Sequence, residues 1–133
     1  MKASTQQIIE QCSHDSHAGT ASFGAIVTAL AEAGVESYYA DYRQATTTYY
    51  LPDGSTARLA LNVPDVTISE IFDAKQIQAA IRGSQRGEVK YPQFLQLSMA
   101  AGCAGYFVWI AGRHVSYFGR RGDLHIERFP DPS

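Results

Sequence analysis

The sequence predicts an α+β fold: two helix-helix-β-hairpin(-strand) repeats forming one antiparallel sheet of about six strands, with helices packed on one face. Three observations predict it. Segments of helical period come before segments of strand period in each half, which argues against alternating βαβ units. The chain also matches itself at a constant shift of 68, with seven identities that include Gly19 with Gly87, Gly34 with Gly102, Tyr38 with Tyr106, Tyr49 with Tyr117 and Gly54 with Gly122. Finally, ten of the fifteen aromatic residues crowd into two glycine-bounded stretches, "AGVESYYADYRQATTTYYLPDG" and "AGCAGYFVWIAGRHVSYFGRRG". The repeats span 4–61 and 72–129, joined by a linker at about 62–71, within one domain over 1–133.

The elements follow in order. Ser4 with Gln7, and Asp73 with Gln76, have the spacing of capping pairs that open the first helix of each half. Ile8, Ile9 and Cys12 form one apolar face, and Ile77, Ala80 and Ile81 form its counterpart. Phe23, Ile26, Val27 and Leu30 recur at i, i+3, i+4, i+7 and end at Gly34, where a left-handed cap residue belongs. The second copy carries Tyr91, Phe94, Leu95 and Gly102, with Pro92 in the first turn, where its missing N–H costs nothing. The linker holds Pro64, Asp65 and Ser69, which break any long period and leave room for at most a short helical turn.

Strand signals close each half. A hairpin turning at Gly112 and Arg113 sets Ile110 opposite Val115 and Val108 opposite Tyr117, an aliphatic surface for the helices. Phe107, Trp109, Ser116 and Phe118 then share the other surface, and Tyr39, Asp41, Thr48 and Tyr50 join them by the same register. "ARLAL" and "LHIER" alternate as third strands. A helix-covered sheet needs one apolar face, so the second set of rings is a surplus that marks a partner, ligand or dimer surface unless the linker or the tail "FPDPS" covers it.

Composition narrows the function classes. Eleven basic against thirteen acidic residues give a net charge of −2, which provides no footprint for a phosphate backbone or an anionic membrane. No apolar run reaches the ~18 residues of a membrane span, and no signal core is present, so a cytoplasmic location is expected. Cys12 and Cys103 are too few for a disulfide framework and read as buried thiols.

Candidate chemistry is sparse. In "HDSH", His14 and His17 stand three apart but have Arg82 and Gln85 at the repeated positions, and they read as a solvated loop, not a metal site. A two-residue turn at Arg120 and Arg121 would set Ser116 across from His125 and His114 across from Glu127, a grouping with acid–base potential. A bulge at Gly122 would instead slip the pairing by one and move His125 and Glu127 to the other face. The Arg121-Gly122-Asp123 tripeptide reads as a turn, and no phosphate-loop, dinucleotide or nucleophile-elbow signature occurs.

On "AGVESYYADYRQATTTYYLPDG", "YPQFLQLSMAAG" and "YFGRRGDLHIERFP", the chain resembles the YbcV-like family of small bacterial proteins, some prophage-encoded and loosely labelled phage envelope protein. It departs from the expected pattern at "SFGAI", where no proline follows the aromatic residue as Pro92 follows Tyr91. The resemblance implies no activity and no site residues. The expectation is therefore a non-enzymatic binding protein, self-associating as a homodimer, that works through Tyr39, Tyr50, Phe107, Trp109 and Phe118. A small-molecule ligand is a further expected partner, with no cofactor and no metal. The competing reading is a small hydrolase or isomerase using His114, His125 and Glu127.

Overall fold

The computed structural model describes residues 1–130. Helices α1 (Ala3–Ala18) and α2 (Phe23–Glu32) are followed by strands β1 (Ser37–Asp41), β2 (Thr46–Tyr50) and β3 (Thr56–Ala60). The pattern then recurs as α3 (Ala74–Gln85), α4 (Tyr91–Ala100), β4 (Cys103–Trp109), β5 (His114–Gly119) and β6 (Leu124–Arg128). The four helices and the single six-stranded antiparallel sheet make an α+β fold.

Strand order is β3-β2-β1-β4-β5-β6, so the two halves meet at β1 and β4. Every pairing of the first half recurs 68 residues on. Ser37 opposite Tyr50 becomes Gly105 opposite Phe118, and Thr46 opposite Ala60 becomes His114 opposite Arg128. At the centre Tyr39 pairs with Phe107, its own counterpart at that shift. A local two-fold axis therefore runs through the sheet at this pair.

The local chemistry explains the elements. Asp73 caps α3 by accepting the Gln76 amide, as its spacing suggests. Ser4 does not cap α1. The helix begins two residues earlier, with Lys2 at the cap position and no side-chain cap bond, while Thr5 in its first turn donates to the Ala33 carbonyl. Gly34 and Gly102 both take left-handed backbone, at φ 94° and 95°, which turns the chain from helix into sheet. In the β1–β2 and β4–β5 turns the left-handed position falls on Ala45 and Arg113, not on a glycine. As a result, Val108 faces Val115 and Tyr106 faces Tyr117, two residues away from the expected register. A slip of two preserves the faces.

The core lies between the helices and one sheet face. Ile9, Leu30, Ile77, Leu95 and Val108 are fully enclosed there, along with the free thiol Cys103. Residues 61–73 form no helical turn. They run along the end of α4, where the Ser69 and Asp73 amides donate to the Met99 and Ala101 carbonyls. Val63, Val66, Ile68 and Phe72 of this segment, and Phe129 after β6, pack against the core on the helical side. The tail "FPDPS", the alternative cover for the outer rings, thus sends its phenylalanine away from the outer face, and its last three residues lie outside the described part.

Candidate functional site

Residues paired across antiparallel strands point to the same side of a sheet. That rule, applied to the registers, puts Tyr39, Tyr50, Phe107, Trp109 and Phe118 together on the face opposite the helices. Their rings form one assembly. Phe107 stacks on Trp109 with centroids 4.0 Å apart and planes 9° from parallel, and Tyr50 and Tyr39 stack on Phe107 at 5.8 and 5.5 Å. Phe118 meets Tyr39 edge-on at 6.4 Å. Trp109 donates its indole N–H to Ser116 Oγ at 3.2 Å, which fixes the orientation of the ring while 38% of the residue stays exposed. Leu124 and Ile126 extend the face along β6, at 53% and 51% exposure. Gly105 makes room for the central ring: an added Cβ there would lie 3.1 Å from the Tyr39 hydroxyl and 2.6 Å from the Ala40 carbonyl oxygen.

The helical side contains a cavity of about 480 Å3 between the helices and the sheet. Its floor is phenolic, contributed by Tyr38, Tyr49, Tyr106 and Tyr117 from the strands and Tyr91 from α4. Apolar walls come from residues such as Ile26, Leu30, Ile81 and Phe94. The Tyr91 and Tyr106 hydroxyls bond each other at 2.6 Å, and nearby Tyr42 bonds Ser98 at 3.0 Å. Burial holds the pKa values of Tyr38, Tyr42, Tyr49, Tyr91, Tyr106 and Tyr117 above the ordinary phenol value, so all are neutral at pH 7. The same desolvation pushes the Cys103 thiol up to about 11.

The three candidate acid–base residues do not form one site. Gly122 adopts φ 83° and its amide closes a turn onto the Gly119 carbonyl, so the last hairpin takes the bulged register. Ser116 then faces Ile126 and His114 faces Arg128 on the outer surface, whereas His125 and Glu127 lie on the helical side opposite Tyr117 and Val115. His125 Nε2 sits 3.4 Å from Glu127 Oε2, and Glu127 is also bound by Arg82 from α3. His114 instead directs Nδ1 at the Gly112 carbonyl oxygen, 3.1 Å away.

His14 and His17 are not in a loop, because α1 continues through both. His17 Nε2 accepts the Asn62 amide at 3.1 Å, tying the end of the first helix to the second residue after β3. Among the described residues, no group of three or more His, Cys, Asp or Glu side chains is placed to hold a metal ion. No helix there is long and apolar enough to cross a membrane.

Sequence reasoning found the outer rings and missed the cavity. A signal was present. The lining positions come in pairs 68 apart, among them Ile26 with Phe94, Tyr38 with Tyr106 and Tyr49 with Tyr117. Pairs that straddle a local two-fold axis enclose whatever space lies on it.

No curated protein matches this chain. A family profile described as protein of unknown function (DUF1398) matches residues 51–128, from the end of β2 through β6. The match takes in the whole second helix-helix-hairpin unit and more than half of the chain, and the protein therefore belongs to the DUF1398 family of proteins of unknown function.

Proposed function

We propose that the protein is a non-enzymatic binding protein that self-associates through the outer sheet face, with Tyr39, Tyr50, Phe107, Trp109 and Phe118 at the centre of the contact. The observation that carries this reading is the Tyr50-Phe107-Trp109 stack, which lies on the side of the sheet away from the helices with its tryptophan over one-third exposed. Rings held rigid by stacking lose little entropy when a partner covers them, and Tyr and Trp keep a polar edge wet. The local two-fold axis supports a second copy as the partner. It emerges through the middle of the patch at Tyr39 and Phe107, so the backbone and the pairs Tyr39/Phe107 and Tyr50/Phe118 repeat in two orientations, while Trp109, Leu124 and Ile126 have Asp41, Thr56 and Arg58 as counterparts. Specific, stable protein–protein contacts bury roughly 1,200–2,000 Å2 in total, so the proposed contact extends beyond the rings to Leu124 and Ile126.

The test is sedimentation velocity over a wide concentration range, combined with emission from Trp109, the sole tryptophan. Self-association with a blue shift at high concentration is expected; both are lost in Ile126→Glu, and self-association by sedimentation is lost in Trp109→Ser, which carries no tryptophan emission to follow. A chain that stays monomeric at the highest soluble concentration, or dimers that leave the Trp109 emission unchanged, would refute the reading.

A further inference from the structure

The cavity on the helical side contains unused hydrogen-bonding capacity. Tyr38, Tyr49 and Tyr117 are 5%, 5% and 6% exposed, yet none of their hydroxyls has a hydrogen-bond partner among the described residues. Among those residues, the one polar side-chain atom that is both fully occluded and unpartnered is His125 Nε2. The three phenolic oxygens therefore keep contact with open space, and the space that their side chains line is the cavity. Leaving one such group dry and unpaired costs roughly 1–3 kcal/mol, so the three are bonded by water or by a ligand that replaces it, and an apolar ligand that displaces the water must supply a polar atom of its own.

The local symmetry indicates which hydroxyl is most in need. Tyr106 has its partner in Tyr91. Tyr38 is the counterpart of Tyr106, but Phe23 stands where Tyr91 would be and has no hydroxyl to offer. Phe23 instead turns to the mouth of the cavity and meets Phe129 edge-on, with centroids 5.6 Å apart. The second half closes its own polar pair, whereas the first half leaves one open.

We propose that this cavity is a binding site for a small, uncharged, mainly apolar molecule carrying a hydroxyl or carbonyl group, which takes at Tyr38 the place of the missing phenol. The size is suitable: at about 30 Å3 per water-sized group, the volume holds roughly fifteen non-hydrogen atoms, and it falls within the usual range of ligand pockets. The floor is made of phenols and apolar side chains, which do not compensate a buried charge. Of the charged residues in the lining, Lys90 and Arg128 are exposed to solvent and Glu127 is already paired with Arg82. The expected ligand is a neutral phenol, alcohol or ketone on an aromatic or aliphatic body. This site is separate from the outer face, so either proposal stands if the other fails.

The experiment uses three probes of similar shape: 2-naphthol, 2-methylnaphthalene, which lacks the hydroxyl, and 2-naphthoate, which is charged. Binding is followed by tyrosine ring shifts in NMR and by thermal melting. 2-Naphthol is expected to bind about threefold to tenfold tighter than 2-methylnaphthalene, the value of one hydrogen bond, with shifts at Tyr38, and 2-naphthoate is expected not to bind. Tyr38→Phe should erase the difference between the first two probes while leaving 2-methylnaphthalene binding intact. Ile26→Phe, which copies Phe94 from the other half, should fill part of the volume and weaken both. Its fold is checked by circular dichroism. No binding of either neutral probe would overturn the proposal. So would binding that Tyr38→Phe and Ile26→Phe both leave unchanged, or a preference for the naphthoate.

Discussion

At the scale of single residues, the turns carry the least expected feature. Ala45 and Arg113 occupy equivalent places in the two halves with φ of 56° and 58°. Left-handed backbone costs a residue with a Cβ roughly 1–2 kcal/mol, whereas glycine adopts it freely but loses more entropy on folding. Ala45→Gly is therefore expected to stabilise the protein by about 0.5–1 kcal/mol in urea unfolding. Arg113→Gly gains less. It also loses the guanidinium placed 5.6 Å over the Phe129 ring and its bond to the Pro130 carbonyl. The sequence suggested glycine at this turn because Gly112 is adjacent, and nothing local told which of the two neighbours would take the left-handed position. Which way each aromatic residue faces was legible, since alternation along a strand survives an error of two in register.

At the scale of elements, the helix-to-sheet corners divide into two kinds that look alike in sequence. Gly34 and Gly102 share their backbone conformation, but an added Cβ at Gly34 meets nothing within 4 Å. At Gly102 it would lie 2.2 Å from the Ile71 carbonyl oxygen, because the connecting segment presses on that corner. Gly34→Ala should cost about 1–2 kcal/mol from strain alone. Gly102→Ala should cost distinctly more, at least about 3 kcal/mol, since backbone must also move. Paired denaturation curves check the ranking, and equal costs would contradict it. The last hairpin shows the limit of local reading. "GRRGD" allows both a two-residue turn and a bulged one, and the difference decides whether His125 joins His114 or Tyr117. The alternation in "LHIER" favours burying neither face strongly, so hydrophobic pattern could not choose. The ion pair of Glu127 with Arg82 on α3 is satisfied only in the bulged register.

At the scale of the whole molecule, the tyrosine-rich chamber sets how stability responds to alkali. An unfolded tyrosine ionises near pH 10, and burial raises this value for six tyrosines of the folded chain. Below that pH both states hold their protons and nothing is lost. Above it the unfolded chain releases protons that the folded chain keeps, so stability falls as pH rises, by about 1.4 kcal/mol per pH unit for each phenol involved. Cys103 adds to the loss between the ordinary thiol range and its folded value of about 11. Urea midpoints followed from neutral pH to about pH 11 should hold steady and then drop steeply. A flat profile would mean that the chamber is more open to water than its geometry implies.

Periodicity, capping and the 68-residue repeat were enough to give the fold class, the third strands and the ring-bearing face, because each depends on residues near one another along the chain. The pairing of β1 with β4, the bulged register of the last strand and the chamber on the local axis are contacts between segments far apart in sequence. Packing of the two halves against each other decides the first and the last, since an empty volume belongs to no single segment and leaves no pattern in any one of them, while the contact of Arg82 with Glu127 inside the second half goes with the bulged register.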